Sequence, residues 1–249
     1  MSCPGFASYQ TAPSGETTIN GAVPVFESKS ARGDLATIHE KYHREIHEVA
    51  AEYGLPPVWL YGFVYAEASR RDWDRSCSPC DENCGYASCP NNPICPTTGQ
   101  PACAYGLMQT IPSVAKAAGV SNPADLVGNP KLSLQAGAHL IRRLFQTFKY
   151  NLPGIAASYL GGGPACRGSG VFGFGSREGG DKFGRDDYAY RVTLAANTAF
   201  SLGYGEPPSV LSSALKASPL TAMLAGVLLG GALAYAAHEY GKLRLGGRR

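Results

Sequence analysis

Several common signatures are missing from this 249-residue chain, and each absence narrows its role. Its net charge of +3 is small and dispersed, with no basic patch interleaved with aromatic residues, which argues against a nucleic-acid partner. No strand-rich run and no internal repeat stands out, so the expected domain is mainly α. Cys77-x-x-Cys80 has no second CxxC partner, and no histidine lies in residues 76–104, which weakens a zinc module. The first residues lack the basic start and continuous apolar core of a secretory signal. No cofactor-binding motif or convincing metal site is visible.

What is present suits one folded domain with appendages. Hydrophobic residues make up 44% of the chain, while 31 Gly and 18 Pro imply many turns and loose segments. Residues 1–33 read as a flexible arm. Residues 34–54 read as a helix, because Ile38, Tyr42, Ile46, Val49 and Tyr53 recur every three or four positions. Gly54 closes it, and Pro56-Pro57 forbid its continuation. His39, His43 and His47 form a neighbouring stripe that could hold a metal, but the charges mixed among them favour a solvated face.

The stretch YGLPPVWLYGFVYAEASR, from Tyr53 to Arg70, is the most informative in the chain. An almost wholly apolar helix there carries one carboxylate, Glu67, near its end. Val58, Trp59, Leu60, Phe63, Val64 and Ala66 surround it too widely for a helix with one wet face. Burial disfavours a charged carboxylate, so Glu67 can hold a proton near neutral pH, as a general acid must. The competing reading makes it the polar end of a core helix, since Ser69, Arg70 and Arg71 follow.

A cysteine-rich segment comes next, at 76–104, with Cys77, Cys80, Cys84, Cys89, Cys95 and Cys103. Its prolines rule out a long helix, and a loop without its own core invites disulfide stapling in an oxidising compartment. Cys166 is a further disulfide candidate, whereas Cys3 is left over in the arm. Helices are expected over 113–119, 129–148, 152–159 and 187–200, with a Gly-rich loop at 167–185 between the last two. The domain therefore extends over 34–202, followed by a linker at 203–218. Residues 219–238 contain a charge-free run of nineteen residues, close to the ~20 needed to cross a bilayer. Gly226 and Gly230 give that run a small-residue packing face, and 239–249 form a basic tail. A buried helix is the alternative for the run.

Four pieces in order over about 46–200 give the chain its resemblance. They are the acid after YGLPP (Glu67), the Gly106-Leu107-Met108-Gln109 turn closed by Pro112, the Asn129-Pro130…Gly137…Leu140 helix, and Ala157-x-Tyr159…Gly161-Gly162. Together they resemble the lysozyme-like lytic transglycosylases and goose-type lysozymes. The resemblance implies a lysozyme-like α domain that cuts peptidoglycan between N-acetylmuramic acid and N-acetylglucosamine. Glu67 would be the acid, with Gly106, Leu107, Met108, Gln109, Tyr159 and Tyr188 in substrate contact. Gly106 would let backbone approach the sugar, and Gln109 would bond an acetamido group. If water attacks, a second carboxylate is expected, and Asp72 and Asp74 are the candidates. A polar cluster with Arg70 or Arg71 is the competing role for both.

The chain also departs from the family pattern. Ala68 stands where the residue after the acid is usually Ser, and Leu160 where an Asn usually follows the tyrosine. The acid and the turn are further apart than usual, the excess being the cysteine-rich insertion. The expected whole is a membrane-anchored wall-opening enzyme of a bacteriophage particle that carries an internal membrane. Its expected partners are glycan strands, lipid through the C-terminal helix, and other virion or envelope proteins. A bacterial envelope is the alternative location, and a non-catalytic glycan-binding module the alternative function.

Overall fold

The computed structural model describes residues 9–68, 73–80, 89–161 and 185–206. The first of these segments corrects the expectation of a flexible arm over 1–33. Strands β1 (Tyr9–Thr11) and β2 (Thr17–Ile19) pair antiparallel, and helix α1 (Lys29–Tyr53) already begins at Lys29. Ser28 caps α1, its Oγ accepting the Ala31 N–H at 3.2 Å. Single side chains of the domain hold the hairpin in place. The Trp59 indole N–H donates to Gly15 O at 3.2 Å, and Asn197 Oδ1 accepts the Thr17 N–H at 2.8 Å. Such bonds give a short polar segment a fixed path without any apolar periodicity.

Along α1 the anticipated stripe is buried at Ile38, Tyr42, Ile46 and Val49, with Leu35 added and Tyr53 only half-buried, and Gly54 ends the helix in the left-handed region at φ 59°. The histidine stripe is not the solvated face it was expected to be. Tyr61 Oη lies 2.9 Å from Nδ1 of both His39 and His43, and His47 Nε2 lies 2.9 Å from Tyr204 O. Burial lowers the His47 pKa. The stripe packs because a buried phenol and the segment after the last helix face it.

Helix α2 (Pro57–Glu67) buries residues all around its circumference, from Val58 to Val64 without interruption. It packs most extensively on α6 (Arg185–Ser201), which in turn covers α5 (Leu152–Gly161). The α2–α6 approach is close because position 62 is glycine. A Cβ there would meet Val192 O at 2.5 Å. Helix α4 (Pro130–Phe148), capped by Asn129, buries Leu134, Gly137, Ile141, Leu144 and Phe148 and leaves Leu140 half-buried. Helix α3 (Pro112–Ala117) stops at Ala118, before Gly119 in the left-handed region.

The cysteine-rich segment contains a hairpin that was not anticipated, with β3 (Cys77–Pro79) antiparallel to β4 (Ala102–Tyr105). Disulfides Cys77–Cys95 and Cys80–Cys89 staple it, and Cys103 is also disulfide-bonded. Cys3, Cys84 and Cys166 lie outside the described residues. So do residues 167–184 of the Gly-rich loop expected at 167–185, most of the linker and the run at 219–238; among the described residues no helix is long and apolar enough to cross a membrane.

The glycine at the helix crossing supplies a direct test. Gly62→Ala gains about 1 kcal/mol of helix propensity, yet forces a methyl onto the Val192 carbonyl. A net loss of about 2 kcal/mol in urea unfolding is expected, and an unchanged or raised stability would mean that α2 and α6 are further apart.

Candidate active site

Helix α2 delivers Glu67 as its last residue. Ala68 leaves the helix at φ −73°, ψ 139°, while its N–H still bonds Val64 O at 2.9 Å. The carboxyl group thus stands at the C-terminal end of the helix, where unpaired carbonyls disfavour a negative charge. Part of the residue's surface still reaches solvent, but packed rings and hydrocarbon enclose the carboxyl itself. Loss of hydration pushes its pKa up to about 7, against the opposing effects of the Tyr188 hydroxyl and the Arg191 charge.

Tyr188, from the first turns of α6, donates its hydroxyl to Glu67 Oε1. Its own ionisation is pushed well up by burial and by the adjacent carboxyl. Arg191, one turn along, sets its guanidinium 5.9 Å from the centre of the Tyr188 ring, while its Nε donates to Asp187 Oδ2 at 3.1 Å. Neither Arg191 nor Asp187 was singled out from sequence. Their one signal was an Asp–Arg pair four residues apart flanking Tyr188.

Tyr159 of α5 stands behind Tyr188, the two rings parallel with centroids 6.5 Å apart. Phe63 packs against Tyr159 at 4.8 Å. The Tyr159 hydroxyl donates to Met108 O at 2.8 Å, and its ionisation is raised by burial and by the Glu67 charge. These contacts tie the acid to the 106–109 turn through two tyrosines.

The turn itself is built differently from the expectation that its residues line the cleft. Gly106 has φ 69°, and its missing Cβ leaves room for Leu126 O and Ser133 Oγ rather than for a sugar. Leu107 is core. Met108 is fully buried, with its side chain filling the space opposite Gly137. The Gln109 amide donates to Ser76 Oγ at 2.9 Å and to Gly106 O at 2.8 Å, while its Oε1 accepts from Ser78 at 2.6 Å. The side chain already satisfies its polar atoms within the protein, so it fastens the turn to the base of the stapled hairpin. Asp74 accepts the Tyr42 hydroxyl at 3.1 Å, which binds it to α1. Asp72 lies outside the described residues. Among the described residues, no group of His, Cys, Asp and Glu could hold a metal ion.

Residues 85–168 match the family model of the transglycosylase SLT domain. This part of the chain is an SLT domain. Its family comprises lytic transglycosylases acting on peptidoglycan, which sets the reaction class and the substrate. No curated protein and no solved structure matches the chain significantly. The SLT match takes in the 106–109 turn, α3, α4 and α5, but it starts beyond Glu67 and ends before Tyr188. The assignment of the acid therefore rests on geometry and on the chemistry of a desolvated carboxyl.

That desolvation has a consequence for stability. Glu67 ionises less readily folded than unfolded, so the folded protein holds an extra proton between the ordinary value of 4.5 and about 7. Its contribution to stability is full below pH ~4.5 and is lost as pH rises through about 7. Glu67→Gln removes this dependence. The variant should gain on wild type between pH 5 and 8, by up to about 3 kcal/mol, as read by chemical unfolding at each pH. Parallel stability profiles would show that the carboxyl is solvated.

Proposed function

We propose that the chain is a lytic transglycosylase cutting the β-1,4 bond between N-acetylmuramic acid and N-acetylglucosamine, with Glu67 as its acid–base residue. The observation that carries this reading is a carboxyl held near pKa 7 and hydrogen-bonded by Tyr188, in a chain with an SLT domain. Because Tyr188 donates to Oε1, the acid's own proton belongs on Oε2. That proton passes to the glycosidic oxygen as the C1–O bond breaks, and the bonding electron pair leaves with the glucosamine oxygen. The carboxylate so formed is stabilised by Tyr188 and Arg191. It then takes the proton of the muramyl 6-hydroxyl while that oxygen bonds C1, giving the 1,6-anhydro sugar and regenerating the acid. No water is consumed. The hydrolytic alternative needs a second carboxylate, and the bond of Asp74 to Tyr42 does not favour that role.

The proposal extends to the setting of the enzyme. The charge-free run at 219–238 with its basic tail supports a membrane anchor, and the linker would let the head range over nearby wall. An internal membrane of a virus particle, where wall opening clears a route for the genome, is the proposed location.

Two experiments test the chemistry. Glu67→Gln should lose about 10²–10⁴-fold in release of soluble muropeptides from purified sacculi, and mass spectrometry of the wild-type products should show anhydro ends. Sacculi that are bound but left intact by both proteins would establish a non-catalytic glycan-binding module. Since catalysis starts from the protonated acid, the wild-type rate should fall as pH rises through about 7. The Tyr188 hydroxyl favours the ionised carboxyl, so Tyr188→Phe should carry that alkaline limb to higher pH. An unmoved limb would exclude Glu67 as the group that sets it.

A further inference from the structure

Strand β3 is a slender attachment on which the candidate site leans. It has three residues, Cys77, Ser78 and Pro79, and of these only Cys77 packs against the small core that Cys95, Ala102 and Tyr105 share with the helices behind them. A two-stranded hairpin of that length is marginal on its own. The bond between half-buried Cys77 and buried Cys95 therefore does here what apolar packing does elsewhere in the fold.

The two serines flanking Cys77 carry this attachment into the site. Ser76 O accepts the Gly106 N–H at 2.9 Å, Ser76 Oγ accepts the Gln109 side-chain amide at 2.9 Å, and Ser78 Oγ donates to Gln109 Oε1 at 2.6 Å. Gln109 sits in the left-handed region at φ 43°, which a residue other than glycine keeps only where its surroundings impose it. One position earlier, Met108 O receives the Tyr159 hydroxyl, and Tyr159 backs the ring of Tyr188 that bonds Glu67. The second disulfide, Cys80–Cys89, lies beyond Ser78 in the chain and ties the end of β3 to the turn at Cys89–Asn91.

We infer that the Cys77–Cys95 disulfide is a redox switch on this site, with Ser76 and Ser78 as the positioning residues through which it acts. The inference rests on the proposed transglycosylase activity. Oxidised, the bond keeps β3 where both serines brace Gln109. A dithiol reductant opens it by thiol–disulfide exchange. The two thiols of the reductant give up two electrons and two protons, Cys77 and Cys95 become thiols, and the reductant closes into its own disulfide. Strand β3 is then held by its few ladder bonds, Gln109 loses its braces, and the tyrosines no longer keep the acid in line. An enzyme so built is off in a thiol-rich compartment and on in an oxidising one.

The test follows cleavage of soluble peptidoglycan strands by the full chain before and after treatment with a dithiol, with circular dichroism on the same samples. Reduction should lower kcat by about tenfold or more at nearly unchanged KM, since misplacing a reacting group by ~1 Å costs up to about 10²-fold. The helical signal should stay, and reoxidation should restore the rate. Cys77→Ala with Cys95→Ala should show the loss without reductant, whereas Cys80→Ala with Cys89→Ala should keep most of the oxidised rate. Ser78→Ala leaves every disulfide in place and should also lower kcat rather than raise KM, so it decides the matter if the cysteine variants fold poorly. A reduced protein, its free thiols counted by mass spectrometry, that cleaves at the oxidised rate would overturn the inference. So would an equal loss in both cysteine pairs, a helical signal that falls in step with the rate, or a wild-type kcat in Ser78→Ala. If the oxidised wild type cleaves nothing, the catalytic reading itself fails. The switch is then judged by amide hydrogen exchange at Gly106 and Met108, which should quicken at least about tenfold on reduction, and unchanged exchange overturns it.

Discussion

A single carboxyl group kept from water at the end of an apolar helix sets the terms for everything else in this molecule. Removing hydration from a carboxylate is unfavourable, and the fold bears that in Glu67 by keeping it protonated near neutrality. The position exists because α2 is buried on every side and ends at that residue. It is maintained because Gly62 lets α6 come close enough for Tyr188 to reach Oε1. Helix packing and acid–base chemistry are thus one constraint: moving α6 outward would both hydrate the acid and remove its donor.

The turn at 106–109 plays a supporting part in this arrangement. Gly106, Met108 and Gln109 spend their polar groups on the protein. Met108 O receives Tyr159, the Met108 N–H donates to Ser133 Oγ at 3.0 Å, and Gln109 is fastened to Ser76 and Ser78. The turn therefore fixes the height of Tyr159, and Tyr159 backs the ring of Tyr188. This gives the stapled insertion a physical purpose. Gln109 grips the base of the β3–β4 hairpin, so any looseness there would pass directly into the turn. The disulfides Cys77–Cys95 and Cys80–Cys89 restrain a segment whose own core is small.

How much of this could be read from the residues depends on where the signal lay. The stripe of α1, the all-round burial of α2, the amphipathic α4 and the desolvated carboxyl of Glu67 were legible, because periodicity and composition record burial directly. Tyr188 came from the family resemblance and not from any periodicity, since its pairing with Glu67 spans 121 positions. The N-terminal hairpin was invisible for a different reason. Its path depends on bonds from Trp59, Asn197 and Thr198 to backbone groups, and such bonds leave no pattern in the hairpin's own sequence. The histidines at 39, 43 and 47 failed differently again. Four-residue spacing marks a helix face, but it does not say whether water or Tyr61 and Tyr204 lie opposite.

That hidden N-terminal segment changes the account of the site. The Phe26 N–H donates to Thr198 Oγ1 at 2.9 Å and Asn197 Nδ2 donates to Pro24 O at 2.9 Å, so α6 holds residues 24–26 directly. The same helix carries Tyr188 and Arg191. One element therefore positions the acid's donor, the cation beside it and Val25 and Phe26, which line a pocket together with Ala66 and Ala68 at the end of α2. A helix holding all three cannot shift for one purpose without shifting for the others. Arg191 joins the acid and the pocket directly, because its charge acts on Glu67 and favours the ionised carboxyl while the same residue lines the cavity that Val25 and Phe26 also border.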